Sequence, residues 1–261
     1  IIKSCRGVPV EVDLLEDDLF RLNSKKVRGL ITKKTKAIII NSPHNPTGSV
    51  LTENDVRDLY QLAEEFDLLL ISDEVYGRII FSDSQAGFHS PSRYDNCLER
   101  TVLVHSLSKT YAMTGWRIGA VTGPENLIYK MSLLYETITS CTPPFIQFAA
   151  IEAMKCSNDN TYEMVSLYQA RRDLMVKGLN KVKGISCLAP EGTFYVFANI
   201  KKLGISSIDF SRKLLEEAYI ASCPGVFFGK NGEGFVRFCF ANSFENIEIG
   251  LKRINNFVET L

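Results

Sequence analysis

The sequence predicts an α/β protein: a mainly parallel sheet sandwiched by helices, followed by a smaller α+β unit. Three observations carry this expectation. Short apolar runs alternate with longer amphipathic stretches. Several of the runs are apolar throughout rather than alternating, which is the pattern of strands buried on both faces. After Pro144 helical patterns take over, and a few strand-like segments follow them.

Ala37–Ile40 reads as the first buried strand. Thr52 then opens a helix, with Asp55 in a capping-box position and Val56, Leu59, Tyr60, Ala63 and Phe66 at helical spacing. Leu68–Ile71, Thr101–Val104 and Ile118–Val121 are the next three runs. Helical patterns from Pro144 to about Lys183 predict a long linking helix. Thr193–Ala198 and Phe235–Phe240 read as strands, with a helix near Asp209–Ala218 between them and another at Glu245–Val258. The expected boundary lies inside the linking helix near Arg171, giving a large domain over residues 1–171 and a small domain over 172–261.

Composition narrows the function. The 261 residues are 45% hydrophobic and 23% charged, and 30 basic residues balance 30 acidic ones. No charge excess points to nucleic acid or an anionic membrane. The apolar runs are far too short to span a bilayer. Seven cysteines, at 5, 97, 141, 156, 187, 223 and 239, are odd in number and form no CxxC pair, so reduced thiols and a cytoplasmic setting are expected. His44, His89 and His105 have no ligand spacing, so no metal is expected. The first residue is Ile, which suggests a processed or cut chain.

In an open α/β sheet, ligands bind outside the carboxyl ends of the strands. The polar residues following the runs are therefore the candidates. They lie in Asn41–Gly48, Ser72–Tyr76 and His105–Thr110, with Gly115–Gly119 at the entrance to the fourth run. These segments offer a carboxylate, a phenol, amides, hydroxyls, one lysine and one arginine. A lysine amine can form a Schiff base. An acidic group can keep a pyridine nitrogen protonated, and Arg117 with Ser106 and Ser108 can hold a phosphate. Those are the requirements of pyridoxal phosphate. Each residue also has a plainer reading. Lys109 could be a surface lysine, Asp73 a cap, Tyr76 a packing residue and Ser108 a turn cap. Arg117 could form a surface ion pair, although its neighbouring glycines and tryptophan suggest a packed setting. Arg237, inside an apolar strand, could belong to a buried ion pair. Gly225–Asn231 reads as the loop before the Arg237 strand.

Asn45-Pro46-Thr47-Gly48, Ser72-Asp73-Glu74-Val75-Tyr76, Ser106-Leu107-Ser108-Lys109 and Gly115-Trp116-Arg117-Ile118-Gly119 occur in this order, with Phe228-Gly229, Gly232 and Arg237 after them. Together they resemble the class I/II aminotransferases, the aspartate aminotransferase superfamily of fold type I. The resemblance implies a pyridoxal-phosphate enzyme that moves an amino group between an L-amino acid and a 2-oxo acid by a ping-pong mechanism. It implies that Lys109 forms the internal aldimine and then moves the proton. Asp73 would pair with the pyridinium nitrogen, and Tyr76 and Asn45 would bond the phenolic oxygen. Ser106, Ser108 and Arg117 would bind the phosphate, and Arg237, with Asn45 beside it, the substrate carboxylate. It also implies a homodimer with shared sites. It further implies that residues 1–171 are part of a cofactor-binding domain normally preceded by more chain, which carries another phosphate loop and a ring stacked on the cofactor. Two other readings stand beside it: lyase chemistry such as β-elimination on the same scaffold, and a truncated, non-catalytic fragment.

Overall fold

A computed structural model describes residues 2–156 and 159–261. Two four-stranded sheets organise the chain. In the first, β1 (Ala37–Asn41), β2 (Leu69–Asp73), β3 (Thr101–Ser106) and β4 (Gly119–Thr122) lie in sequence order. Strands β1, β2 and β3 are parallel, with Asn41 opposite Asp73 and Asp73 opposite Val104.

The helices on this sheet follow from local signals. Asn23 caps α1 (Ser24–Leu30) by accepting from the Lys25 amide. Helix α2 (Glu53–Glu65) starts with the expected box: Thr52 accepts from the Asp55 amide, and the Asp55 carboxylate accepts from the Thr52 amide. Its inner face, Val56, Leu59, Leu62 and Ala63, packs with Ile38, Ile40 and Leu70 of the sheet. Phe66 falls outside this stripe. It caps the helix, stands 39% exposed and lies under the Arg28 guanidinium. Two one-turn helices, α3 (Ser92–Asp95) and α4 (Leu107–Thr110), flank β3.

The fourth apolar run corrects one expectation, that of a strand buried on both faces. Strand β4 is antiparallel to β3, and all four of its residues are exposed. The connection from β3 is α4 and a short turn, which stay at the carboxyl end of β3. The chain therefore re-enters the sheet from that end, and no crossover brings it back for a parallel pairing. No element among the described residues covers β4, so its apolar sequence does not translate into burial.

Helix α5 (Glu125–Thr139) was not expected from the sequence, and the single linking helix is replaced by α6 (Pro144–Lys155) and α7 (Asp159–Leu179). Pro144 sits in the first turn of α6, where its missing N–H costs nothing. Arg171 lies within α7. The second sheet is antiparallel, in the order β5 (Ser186–Cys187), β6 (Tyr195–Asn199), β8 (Phe235–Cys239), β7 (Cys223–Pro224). Helices α8 (Ser207–Ala218) and α9 (Phe244–Glu259) cover it, each capped by a serine, Ser206 and Ser243. Its core joins Val196, Ala198, Val236 and Phe238 to Leu179, Phe210 and Ile254.

The two sheets share material. Tyr76, Ile79 and Phe81, just after β2, belong to the core of the second sheet. The segment 190–193 is clamped onto the first: the Gly48 carbonyl accepts from the Glu191 and Gly192 amides, Phe81 donates to the Glu191 carbonyl, and Thr193 donates to the Ile79 carbonyl. Gly48 has φ 71°, and a Cβ there would stand 2.2 Å from Pro190 Cβ. This clamp fixes where β6 begins.

Candidate active site

The carboxyl ends of β1, β2 and β3 bring Asn41, Asp73 and Ser106 to one edge of the first sheet. The antiparallel pairing of β4 sets Gly119 opposite Ser106, so the segment entering β4 reaches the same edge. A Cβ on Gly119 would meet the His105 carbonyl at 2.5 Å, which shows how closely the chain passes.

Asn41 ties this edge together and was not singled out from the sequence. Its Nδ2 donates to the Asp73 carbonyl at 3.1 Å, and its Oδ1 accepts from the Asn45 amide at 3.0 Å. Asn45 is thereby held against the end of β2. The loop is stiffened by His44 Nδ1, 2.8 Å from Thr47 Oγ1. Burial lowers the His44 pKa to about 4.

Asn45 Oδ1 accepts a hydrogen bond of 2.8 Å from Arg237 Nη1. The Arg237 guanidinium lies between two rings, 4.1 Å from the Tyr195 centroid and 5.0 Å from that of Phe228. It is half-buried, and no carboxylate of the described residues forms a salt bridge with it. A guanidinium without an anionic partner within an apolar strand is costly unless a ligand anion completes it. The buried ion pair considered from the sequence is therefore absent among the described residues.

Lys109 stands close by. Its Nζ is 5.9 Å from the Tyr76 ring and 5.3 Å from that of Phe194. Like Arg237, it has no salt bridge among the described residues. Tyr76 is buried, and its hydroxyl donates to Tyr195 Oη at 3.5 Å. Burial, then the neighbouring Tyr195, push the Tyr76 phenol far above its ordinary range, while Arg237 pulls it down and Asp73 pushes it up. Asp73 Oδ1 accepts from the Val75 amide at 3.1 Å, and no cation of the described residues lies within salt-bridge range of it. Next to it, the buried Glu74 carboxylate accepts from Ser72 and Ser90 and lies 3.7 Å from His105. Burial raises the Glu74 pKa, against the hydrogen bonds from Ser90 and Ser72 that lower it.

The proposed phosphate group of residues is less complete. Ser106 Oγ caps α4 by accepting from the Ser108 amide at 3.1 Å, and donates to the Ile118 carbonyl at 3.4 Å. The cap is thus Ser106 rather than Ser108, which is buried. Arg117 has φ 55° and donates to the Thr114 carbonyl at 2.8 Å. Its surroundings are not packed: Thr114 to Arg117 are all exposed, with Trp116 at 43%. Of the two flanking glycines, Gly115 has open space around it, whereas Gly119 passes close to the His105 carbonyl. The structure records no contact between Arg117 and either serine.

The loop before β8 matches its expectation. It forms two short turns, Gly225–Phe228 and Lys230–Gly232, whose glycines touch through their backbones. Phe194, Tyr195 and Phe228 were not singled out as side chains of the site. Their one sequence signal is a run of aromatics beside the strands that carry the polar residues.

The family model "Aminotransferase class I and II" matches residues 1–254. The aspartate aminotransferase of Pyrococcus abyssi is 43% identical over 250 residues, covering 95% of this chain and 64% of that protein. The chain thus spans just under two thirds of that relative's length. The crystal structure of an aromatic aminotransferase from Pyrococcus horikoshii superposes with a TM-score of 0.92 at 41% identity, covering 97% of this chain and 68% of that one. A Thermus thermophilus aspartate aminotransferase with maleate gives a TM-score of 0.89 at 34% identity, covering 98% and 65%. The match runs through nearly every element described above, and the chain belongs to the class I and II aminotransferases.

Proposed function

We propose that this chain carries the catalytic chemistry of a pyridoxal-phosphate-dependent aminotransferase. It would move an amino group between an L-amino acid and a 2-oxo acid in two half-reactions. The single observation that carries the reading is the Arg237 guanidinium, held by Asn45 and two rings, without a salt-bridged carboxylate among the described residues, beside the same aromatic cluster of Tyr76, Phe194 and Tyr195 that the Lys109 amine faces.

The donor set suits the cofactor. Among the described residues neither the Asp73 carboxylate nor the Lys109 amine forms a salt bridge, and the Tyr76 ring lies 5.9 Å from Lys109 Nζ. Asn45 Nδ2 has no partner among the described residues, because only Oδ1 is taken by Arg237. Pyridoxal phosphate, when bound, supplies an aldehyde that condenses with amines and a ring that accepts the electron pair left at the substrate Cα.

The chain's own residues do the rest. Arg237 binds the substrate α-carboxylate through the guanidinium face not used by Asn45, which fixes the direction of the Cα–H bond. Lys109 Nζ takes the proton from Cα as general base and, as general acid, would give it within the same half-reaction to the cofactor carbon that keeps the amine, the reverse transfer serving the second half-reaction. Asp73 holds a proton on the ring nitrogen. The Tyr76 hydroxyl and Asn45 Nδ2 donate to the phenolic oxygen. Ser106, Ser108 and Arg117 hold the phosphate, with Arg117 leaving its Thr114 contact to do so. A homodimer with shared sites is part of this reading, supported by the exposed apolar side chains of α5 and α6, including Ile138, Phe145 and Phe148. We also place the domain boundary near Arg171.

The relatives' names differ in substrate, aspartate for one and aromatic amino acids for another. Arg237 serves the carboxylate common to both. Incubation with pyridoxal phosphate, 2-oxoglutarate and either aspartate or phenylalanine tests the reading. Glutamate and the matching 2-oxo acid are the expected products. Ammonia and pyruvate from a cysteine conjugate, with no amino transfer from any donor, would replace it with lyase chemistry.

A further inference from the structure

Two successive rings, Phe194 and Tyr195, stand against the two cations of the site and have no role in the reading above. The Phe194 ring is 5.3 Å from Lys109 Nζ, the Tyr195 ring is 4.1 Å from the Arg237 guanidinium, and the two rings are 4.7 Å apart. Tyr195 is fixed from several directions. In the second sheet it pairs with Cys239 while Phe197 pairs with Arg237, so Tyr195 is the diagonal neighbour of Arg237 on one face. Its amide donates to Thr193 Oγ1 at 3.2 Å. Thr193 itself is buried and holds φ 67°, a left-handed conformation that a β-branched residue rarely adopts.

Tyr195 also reaches the first sheet. Its hydroxyl accepts from Tyr76 at 3.5 Å, and their rings meet edge-on at 6.1 Å. One side chain therefore touches both Arg237 and Tyr76.

We propose that Tyr195 is a positioning residue that couples the carboxylate site at Arg237 to the hydroxyl of Tyr76. This rests on the aminotransferase reading and goes beyond it. A cation on the face of a phenol draws electron density from the ring and makes its oxygen a poorer acceptor. A carboxylate bound at Arg237 neutralises that cation. Tyr195 Oη then accepts more strongly from Tyr76, and the Tyr76 proton is drawn away from the cofactor's phenolic oxygen. Substrate binding at one end of Tyr195 is thereby felt at the other. The charged and titratable groups facing Tyr76 are Asp73 from β2, Lys109 from α4, Tyr195 from β6 and Arg237 from β8.

Two variants separate the ring from the hydroxyl. Tyr195→Phe keeps the stack on Arg237 and removes the acceptor; Tyr195→Leu removes both. The protein is loaded with pyridoxal phosphate, and the pH midpoint of its visible absorption change is recorded with and without maleate. Maleate affinity is read from the same titration, and thermal melts check that each variant is folded. In the parent protein maleate is expected to raise the midpoint. In Tyr195→Phe this shift is expected to shrink to less than half, with maleate affinity changed less than about twofold. In Tyr195→Leu maleate binding is expected to weaken by roughly 5- to 30-fold, the range of a partly desolvated cation–π contact. An undiminished shift in a folded Tyr195→Phe overturns the coupling while leaving the aminotransferase reading intact. Absence of any visible cofactor band in the parent protein overturns that reading, and the coupling with it.

Discussion

Arg237 in β8 and Asn45 after β1 are joined by a hydrogen bond of 2.8 Å across 192 positions of sequence. The bond spans the two sheets at the point where their loops meet. It uses Nη1 of the guanidinium, and no hydrogen bond to Nη2 or Nε is recorded among the described residues. The arginine is thus aimed by the first sheet while it is carried by the second.

Arg237→Lys keeps the charge and loses the planar fork and its stacking. Its KM for both substrates is expected to rise by about 10- to 100-fold, the worth of one charge-assisted hydrogen bond, while kcat falls less. Steady-state kinetics with an amino donor and 2-oxoglutarate checks this. An unchanged KM would remove Arg237 from carboxylate binding.

Gly48→Ala tests the clamp that sets the start of β6. The new methyl group would meet Pro190 Cβ at 2.2 Å and the Gly192 carbonyl at 2.9 Å, in a backbone at φ 71°. Neither neighbour is a flexible chain end. A loss of at least about 2 kcal/mol in denaturant unfolding is expected, as for other clashes at special backbone positions. Maleate binding should weaken in the same variant, since Tyr195 lies a few residues beyond the clamp.

His44 gives a pH dependence. Burial lowers it from 6.5 to about 4, so the folded protein takes up this proton less readily than the unfolded chain does. Between pH 6.5 and about 4 the unfolded chain gains a proton that the folded one refuses, so stability falls as pH falls through that window. His44→Asn can keep a hydrogen bond to Thr47 without the charge. Its melting temperature is expected to fall less than the parent's between pH 7 and pH 4.5, measured by circular dichroism.

The site's polar residues were legible because a strand's carboxyl end is a local signal: Asp73 and Ser106 each stand two positions beyond the end of an apolar run. The capping box at Thr52 and the loop at Gly225 were legible for the same reason. Strand β4 was not. Gly119–Thr122 has the composition of a buried strand, but direction and burial depend on where the connection lies and on what covers it. The setting of Arg117 was not legible either: the glycines and tryptophan around it suggest packing, but Thr114–Arg117 lie exposed. Tyr195 was hidden most completely, since an aromatic at the start of a strand reads as core. Its contacts with Arg237 and Tyr76 exist only once β6 lies beside β8 and the segment after β2 packs against both.

Lys109 is proposed as the amine through which pyridoxal phosphate is held and the proton is moved. Borohydride reduction of the cofactor-loaded protein, followed by peptide mass mapping, tests it most directly. A pyridoxyl mass is expected on the peptide containing Lys109, and none on that peptide in Lys109→Ala, whose amino transfer should fall by roughly 10²- to 10⁴-fold. A pyridoxyl mass on a different lysine, with Lys109→Ala still active, would contradict it.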